Sequence, residues 1–490
     1  MSVEKNTLRT GCCGSGPGYR SPQDAFKNGP REEIVYVLCV QPDKTKHDYL
    51  AIVDVDPTSP SYCQVIHRTK MLYPGDEVHH FGWNSCSSCY GNVTKQRDKL
   101  VIPCLGSDRI YILDVAANPR APTVHKVIEP EEMHALGVAT PHTTHCLPSG
   151  DIMISTMGTV SGEGNGDFIL VDGSTWKVKS LWTEGDKVAQ FGYDFWYQPY
   201  WDIMVSSEWG APKSFKPGYK HSDVLDPTLT GRSINLYSWK ERKLLQTISF
   251  GDEGIAPLET RFLHNPLEAQ GFVGCAVTSN IFRFYRTDDG TWAVEKVIVI
   301  PPKKVKGWAL PEMQGMVTDI LLSLDDRFLY LSNWLHGDVR QYDVSNPSKP
   351  VLVGQVFLGG SILKGGPVEV IEDHELTEQP APVTIKGKKI LGSPQMLQLS
   401  LDGKRLYVTT SLFSPWDTQM YPEMVKKGSV LMKVDVDTEK GGLTLDTDFL
   451  VDFGAEPDGP VLAHETRYPG GDCTSDIWLV DEEPKVELCK

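Results

Sequence analysis

The chain carries 13 histidines and 11 cysteines, and several sit in patterns that could do chemistry. His79 and His80 adjoin in DEVHHFGWNSC, His142 and His145 share TPHTTHC, His464 stands in LAHETRYPGGD, and His336 stands in SNWLHGDV. Neutral imidazole ligates copper, zinc, iron or nickel. Three or four converging rings would hold an ion and leave a position open for substrate or dioxygen. HH and HxxH are weak patterns alone, and any one of these residues has a hydrogen-bonded structural role as its plain alternative. Cys86 and Cys89 form a CxxC pair, which can lower a thiol pKa and act as a redox dithiol. No second pair follows at zinc-finger spacing. Two thiols packed in an inner-strand turn is the equal alternative. Cys63 (PSYCQVIHR) reads as a core or edge residue of an outer strand. Walker loop, strand-borne GxGxxG, GxSxG elbow and HExxH are all missing, which argues against phosphoryl transfer, nicotinamide chemistry and the usual serine hydrolysis.

Scattered histidines make a site only if some scaffold converges them. With 44 Gly, 34 Pro, 18 Tyr, 16 Phe and 12 Trp, the composition favours many short strands joined by turns. LLSLDDRFLYLS (321–332) and QLSLDGKRLYVT (398–409) are near copies, each a strand, a tight turn and a second strand. A third strand of one type follows each, at 337–344 and 429–436. Similar strands open at 49, 109, 167, 234 and 281, anchored on Asp54, Asp114, Asp172, Tyr237 and Tyr285, with Tyr342 and Asp435 anchoring the first two. Most steps are about 50 to 65 residues, which marks a repeated four-stranded unit. Radial stacking buries both faces of each small sheet and leaves only short edges. The expected fold is therefore all-β: a seven-bladed β-propeller over 29–478. Residues 372–392, polar and Pro-containing, are expected as an inserted loop. A flexible Gly- and Cys-containing segment is expected at 1–28 and a charged tail at 479–490. Cys12 and Cys13 in the first segment could take a soft metal.

This topology converts sequence position into face. His79, His80, His142, His145 and His464 start strands lining the central channel, and His336 falls in a connection on the same face. His80, His142, His145 and His464 are the candidate metal ligands, because each can point into the channel mouth from its own segment. His264 maps to the opposite end. Asp319, Glu208 and Glu465 map near the histidine face, as turn residues with an orienting role open.

Composition narrows the partners. The formal charge is -16, which repels phosphates and anionic lipid, so nucleic acid and membrane surfaces are disfavoured. No run reaches the roughly 18 to 20 apolar residues of a spanning helix. The first 30 residues lack the apolar stretch of a signal peptide. An odd cysteine count over a long chain argues against a disulfide framework. The expectation is a cytoplasmic protein with reduced thiols.

Longer motifs are specific. GPREEIVYV (29–37), YLAIVDVDPTSPSYCQVIHR (49–68), HHFGWNSCSSC (79–89), FGYDFWYQP (191–199), RFLHNP (261–266), KGWALPEM (306–313) and LAHETRYPGGDCTSDIW (462–478) resemble the selenium-binding protein family, whose members are also described as methanethiol oxidases. The resemblance implies copper-dependent oxidation of methanethiol by dioxygen and water to formaldehyde, hydrogen sulfide and hydrogen peroxide. It implies selenium binding at Cys63, a match of the family's CSSC pair to Cys86 and Cys89, and copper held by the histidines named above. An uncoordinated histidine, His79 or His336, would then serve as catalytic base. Ser233 stands where many members have histidine, so no essential ligand is expected there. The partners implied are a small thiol, dioxygen and selenium. The rival reading is a non-catalytic propeller scaffold that binds selenium and proteins. A lactonase-type propeller is a second rival, but such a site favours a hard cation on carboxylates and amides, and the histidine-rich mouth speaks against it.

Overall fold

The structure is a computed structural model and describes residues 16–480. Cys12, Cys13 and most of the expected charged tail lie outside the described residues.

Antiparallel four-stranded sheets dominate. The strands at one edge of each are β1 (Gly82–Trp83), β2 (Val138–Cys146), β3 (Phe195–Gln198), β4 (Pro257–Phe262), β5 (Val317–Leu322), β6 (Leu397–Leu399) and β7 (Leu462–Arg467). These inner strands are buried almost throughout and pack on one another in succession, β1 on β2 and β3 on β4 through to β7. The repeated third-strand pattern appears as His47–Asp54, Ile110–Asp114, Asp167–Val171, Ser233–Ser238, Asn280–Arg286, Asp338–Asp343 and Val430–Val436, each the third strand of its sheet. Both faces of His47–Asp54, Ile110–Asp114 and Asp167–Val171 are covered, so their apolar residues run continuously instead of alternating. The outermost strands are half exposed and charged, as in Lys243–Ser249, which discourages edge-to-edge pairing.

The first sheet is assembled from both ends of the chain. β7 pairs with Ile34–Val40, so Leu462–Arg467 completes the N-terminal sheet instead of a last one of its own. Residues 22–28, expected within the flexible N-terminal segment, form a short helix. Ser21 caps it by accepting the Asp24 N–H, and Pro22 stands in its first turn, where a missing N–H costs nothing.

Several inner strands carry an extra residue. In β2, Pro141 faces Thr156 and Thr144 faces Ile154, so three residues oppose two around His142. In β7, Val37 faces Thr466 and Cys39 faces Ala463, which places the bulge at His464 and Glu465. A bulge turns successive side chains to a new face. Residues three apart, such as His142 and His145, point oppositely in a regular strand, and the bulge lets both face inward.

The expected inserted loop is more ordered than its composition suggests. Glu369–Glu372 pairs with Lys303–Lys306, which also pairs with Glu312–Met313, and Thr384–Ile385 pairs with Lys388–Lys389. Buried Lys303 meets Asp373 at 2.8 Å and Glu375 at 3.2 Å, and Arg340 grips Glu375 through two bonds of 2.8 Å. These ion pairs pin the excursion back onto the sheets.

Candidate metal centre

Four histidines from three chain segments meet. His79 and His80 lie in the loop that enters β1, His142 in the β2 bulge, and His464 in the β7 bulge. Ring centroids are 4.4 Å apart for His79–His80, 4.4 Å for His80–His142, 5.1 Å for His80–His464 and 4.0 Å for His79–His464. Donor atoms of His79, His80 and His464 lie within 4.8 Å of one another.

Three of these rings are anchored through one nitrogen and bare at the other. His80 Nδ1 lies 3.0 Å from Glu465 Oε1, His142 Nδ1 pairs with Thr143 Oγ1 at 3.1 Å, and His464 Nδ1 donates to the Ser411 carbonyl at 2.7 Å. The Nε2 atoms of His80, His142 and His464 are buried with no hydrogen-bond partner among the described residues. An orphaned buried polar atom costs about 1–3 kcal/mol, and three of them on rings packed around His80 call for an occupant that accepts lone pairs. Metal-bound imidazoles show this pattern, the far nitrogen fixed by a protein acceptor. Burial, reinforced by neighbouring rings or cationic groups, keeps these imidazoles neutral. It holds His80 and His464 down at about 3, and His79 and His142 well below the ordinary histidine value. Neutral imidazoles suit copper, zinc, iron or nickel, so this donor set would accept a copper ion without selecting it.

His145 is inward-facing but separate. Its ring packs against Phe195 and Trp196 at 5.1 and 5.2 Å, and both its nitrogens lack partners among the described residues. Burial lowers it to about 4, and the nearby charges are Asp194, Arg261 of β4, Arg467 of β7 and Asp472. Like His142, it lies outside the set whose donor atoms are within 4.8 Å of one another, and unlike His142 its ring does not pack on that set. His336 is not among the rings that meet there. It sits against the small excursion sheet with Nε2 on the Met313 carbonyl at 3.0 Å, so the structure does not bring this expected base into the ring cluster. The connection that carries it is covered by a segment that strand counting could not place. His264 lies toward the other end, its backbone N–H on Asp326 in the turn after β5.

Aromatic rings roof the cluster. Tyr193 lies 3.9 Å from His142, Trp209 lies 5.7 Å from Tyr193, and Phe413 lies 6.1 Å from His79. The short helices Pro212–Phe215 and Ser414–Met420 meet there, joined by Trp416 Nε1 donating to the Phe215 carbonyl at 2.9 Å. An apolar cavity beside this roof is lined by Trp209, Phe215, Val224, Leu229 and Trp416. Sequence spacing carried no signal for the roof or for Thr143 and Ser411. Of the three candidate orienting acids, only Glu465 lies against an imidazole, with Oε1 3.0 Å from His80 Nδ1. Glu208 bonds Asn235, and Asp319 bonds the Leu397 N–H.

Cys86 and Cys89 are buried at the turn after β1, and Cys146 joins them. Ser88 Oγ lies 3.2, 4.0 and 3.8 Å from the three sulfurs. Hydrogen bonding from Cys146 brings the Cys89 thiol down to about 6 against the opposing effect of burial. Cys63 sits in a turn, not in a strand. It adopts φ +63° ahead of Val65–Pro74, half-buried beside Tyr62, with its thiol pushed up by burial.

The description "56 kDa selenium binding protein" matches residues 13–479. The chain belongs to the selenium-binding protein family. Within that family it is 62% identical over 471 residues to a Xenopus laevis protein named methanethiol oxidase, covering 95% of this chain and 99% of that one. It is 59% identical over 475 residues to the Homo sapiens methanethiol oxidase, covering 96% and 100%. A solved selenium-binding protein from Sulfolobus tokodaii, described as hypothetical, superposes with a TM-score of 0.83 at 38% identity, covering 94% of this chain and 98% of that one. A periplasmic gluconolactonase from Pseudomonas aeruginosa, 10% identical with a TM-score of 0.52 and covering 89% and 99%, shares the fold alone. No helix among the described residues is long and apolar enough to cross a membrane.

Proposed function

We propose that this selenium-binding protein family member is a copper-dependent methanethiol oxidase, converting methanethiol, dioxygen and water into formaldehyde, hydrogen sulfide and hydrogen peroxide. The supporting observation is the convergence of buried imidazoles around His80, with three of them, His80, His142 and His464, holding an Nε2 that has no partner among the described residues. His80, His142 and His464 would hold the ion. Copper supplies the one-electron chemistry that lets dioxygen oxidise a thiol, which side chains alone do poorly. His79 has none of the anchoring bonds of the other three and lies flat against His464, so it takes the thiol proton. The roof of Tyr193, Trp209 and Phe413 excludes bulk water and admits a small apolar group, and sulfur–aromatic contacts favour a thiol there.

The four-stranded sheets act as blades of one seven-bladed propeller, closed where β7 joins the N-terminal strands, and this closure brings His464 to His80. Cys63 is the selenium site by family resemblance, with Cys86 and Cys89 as a redox pair assisted by Cys146. The eight described cysteines are free, which suits a reducing compartment such as the cytosol. The test is copper content and methanethiol turnover of the purified chain beside His80→Ala, His142→Ala and His464→Ala. The reading expects one copper lost and no turnover in each variant. Full copper and full turnover in all three would overturn it.

A further inference from the structure

A carboxylate clip recurs between neighbouring inner strands. Asp194 Oδ2 accepts the Thr260 N–H at 2.8 Å, Asp319 Oδ2 accepts the Leu397 N–H at 2.7 Å, and Glu465 Oε2 accepts the Phe81 N–H at 2.7 Å. Each reaches from one sheet to the inner-strand segment of the next. The second oxygens differ. Those of Asp194 and Asp319 have no partner among the described residues. Glu465 Oε1 meets His80 Nδ1 at 3.0 Å and Arg467 Nη2 at 2.6 Å. Arg467 Nε in turn donates to the Phe81 carbonyl at 3.0 Å. The backbone N–H and C=O of Phe81, next in chain to His80, are therefore both held by β7, the strand that also carries His464.

We infer that Glu465 is a positioning residue for the metal centre, a structural clip adapted to orient His80 and dictate its tautomer. A carboxylate paired with Arg467 can only accept, so His80 must carry its proton on Nδ1 and present a bare Nε2. The same clamp couples His80 to His464, so the site forms only when the C-terminal strand closes the first sheet. This inference rests on the proposed metal reading, yet the tautomer exists without metal.

The test uses the full-length protein and two near-isosteric variants. Glu465→Gln keeps the size of the clip, but its amide presents N–H groups to His80. Asp319→Asn alters an equivalent clip with no imidazole attached. Histidine ¹⁵N spectra of metal-free protein, assigned by loss of the His80 signal in His80→Asn, report the tautomer. Competition with a copper(I) chelator reports affinity. Glu465→Gln should move the His80 proton from Nδ1 to Nε2 and weaken copper(I) about 10- to 100-fold, while Asp319→Asn leaves both unchanged. An unaltered tautomer with affinity within about twofold of wild type would overturn the inference. Equal losses in both variants would do the same, because they would mark a general packing effect. If wild-type copper binding ignores His464→Ala, the metal reading fails, and the tautomer still decides the role of Glu465.

Discussion

Replacing His464 with alanine separates ligand loss from fold loss. In the metal-free protein the substitution removes one hydrogen bond, to the Ser411 carbonyl, worth about 1 kcal/mol. It also leaves a small void, for which about 2 kcal/mol is typical. Against this it removes a buried Nε2 that has no partner among the described residues, a relief of about 1–3 kcal/mol. The opposing contributions nearly cancel, so metal-free stability should fall by no more than about 2 kcal/mol. With copper the balance changes. A ligand at a hundred times its Kd stabilises by about 2.7 kcal/mol. For a chain of 490 residues, an unfolding entropy near 2.1 cal/mol/K per residue sums to about 1 kcal/mol/K. Copper should therefore raise the wild-type midpoint by about 3 °C and barely move that of His464→Ala. Differential scanning calorimetry at matched protein concentration, with and without copper(I), measures both quantities. A variant whose midpoint rises with copper as much as wild type would refute the ligand assignment.

Other outcomes follow from the same geometry. His79→Ala should keep its copper but lose turnover, whereas loss of copper would make His79 a ligand in place of His142. Mass spectrometry after selenite treatment should find added mass on the Cys63 peptide, and labelling confined to Cys12, Cys13 or Cys489 would remove Cys63 from the proposal. Acid should destabilise the fold through its buried neutral histidines. His264 and His336 are held at about 4 by burial, while the unfolded chain protonates near 6.5. Their stabilisation is present above pH 6.5 and is lost as pH falls toward 4, by up to about 1.4 kcal/mol per pH unit for each ring. Urea unfolding between pH 7 and 5 should show this slope, and His264→Asn should make it shallower; an unchanged slope would contradict the assignment.

Much of this architecture can be read along the chain. A blade-like unit is local, about four strands and their turns, so its apolar third strand and Asp-Gly or Asp-Asp turn recur visibly. Connection order then sends His79, His80, His142 and His464 to one face, because antiparallel strands alternate direction. What spacing cannot show is a bulge, since one unpaired residue leaves no periodic trace. Yet the bulges in β2 and β7 aim His142 and His464, and they also leave His145 inward but out of the cluster. Nor does local pattern register contacts made across hundreds of residues. Glu465 on His80, Cys146 beside Cys89, the excursion that covers His336 and the aromatic roof from Tyr193 to Phe413 all depend on closure. Secondary structure obeys neighbours a few residues away, whereas a metal centre depends on distances of a few ångströms between segments that only the packed ring brings together.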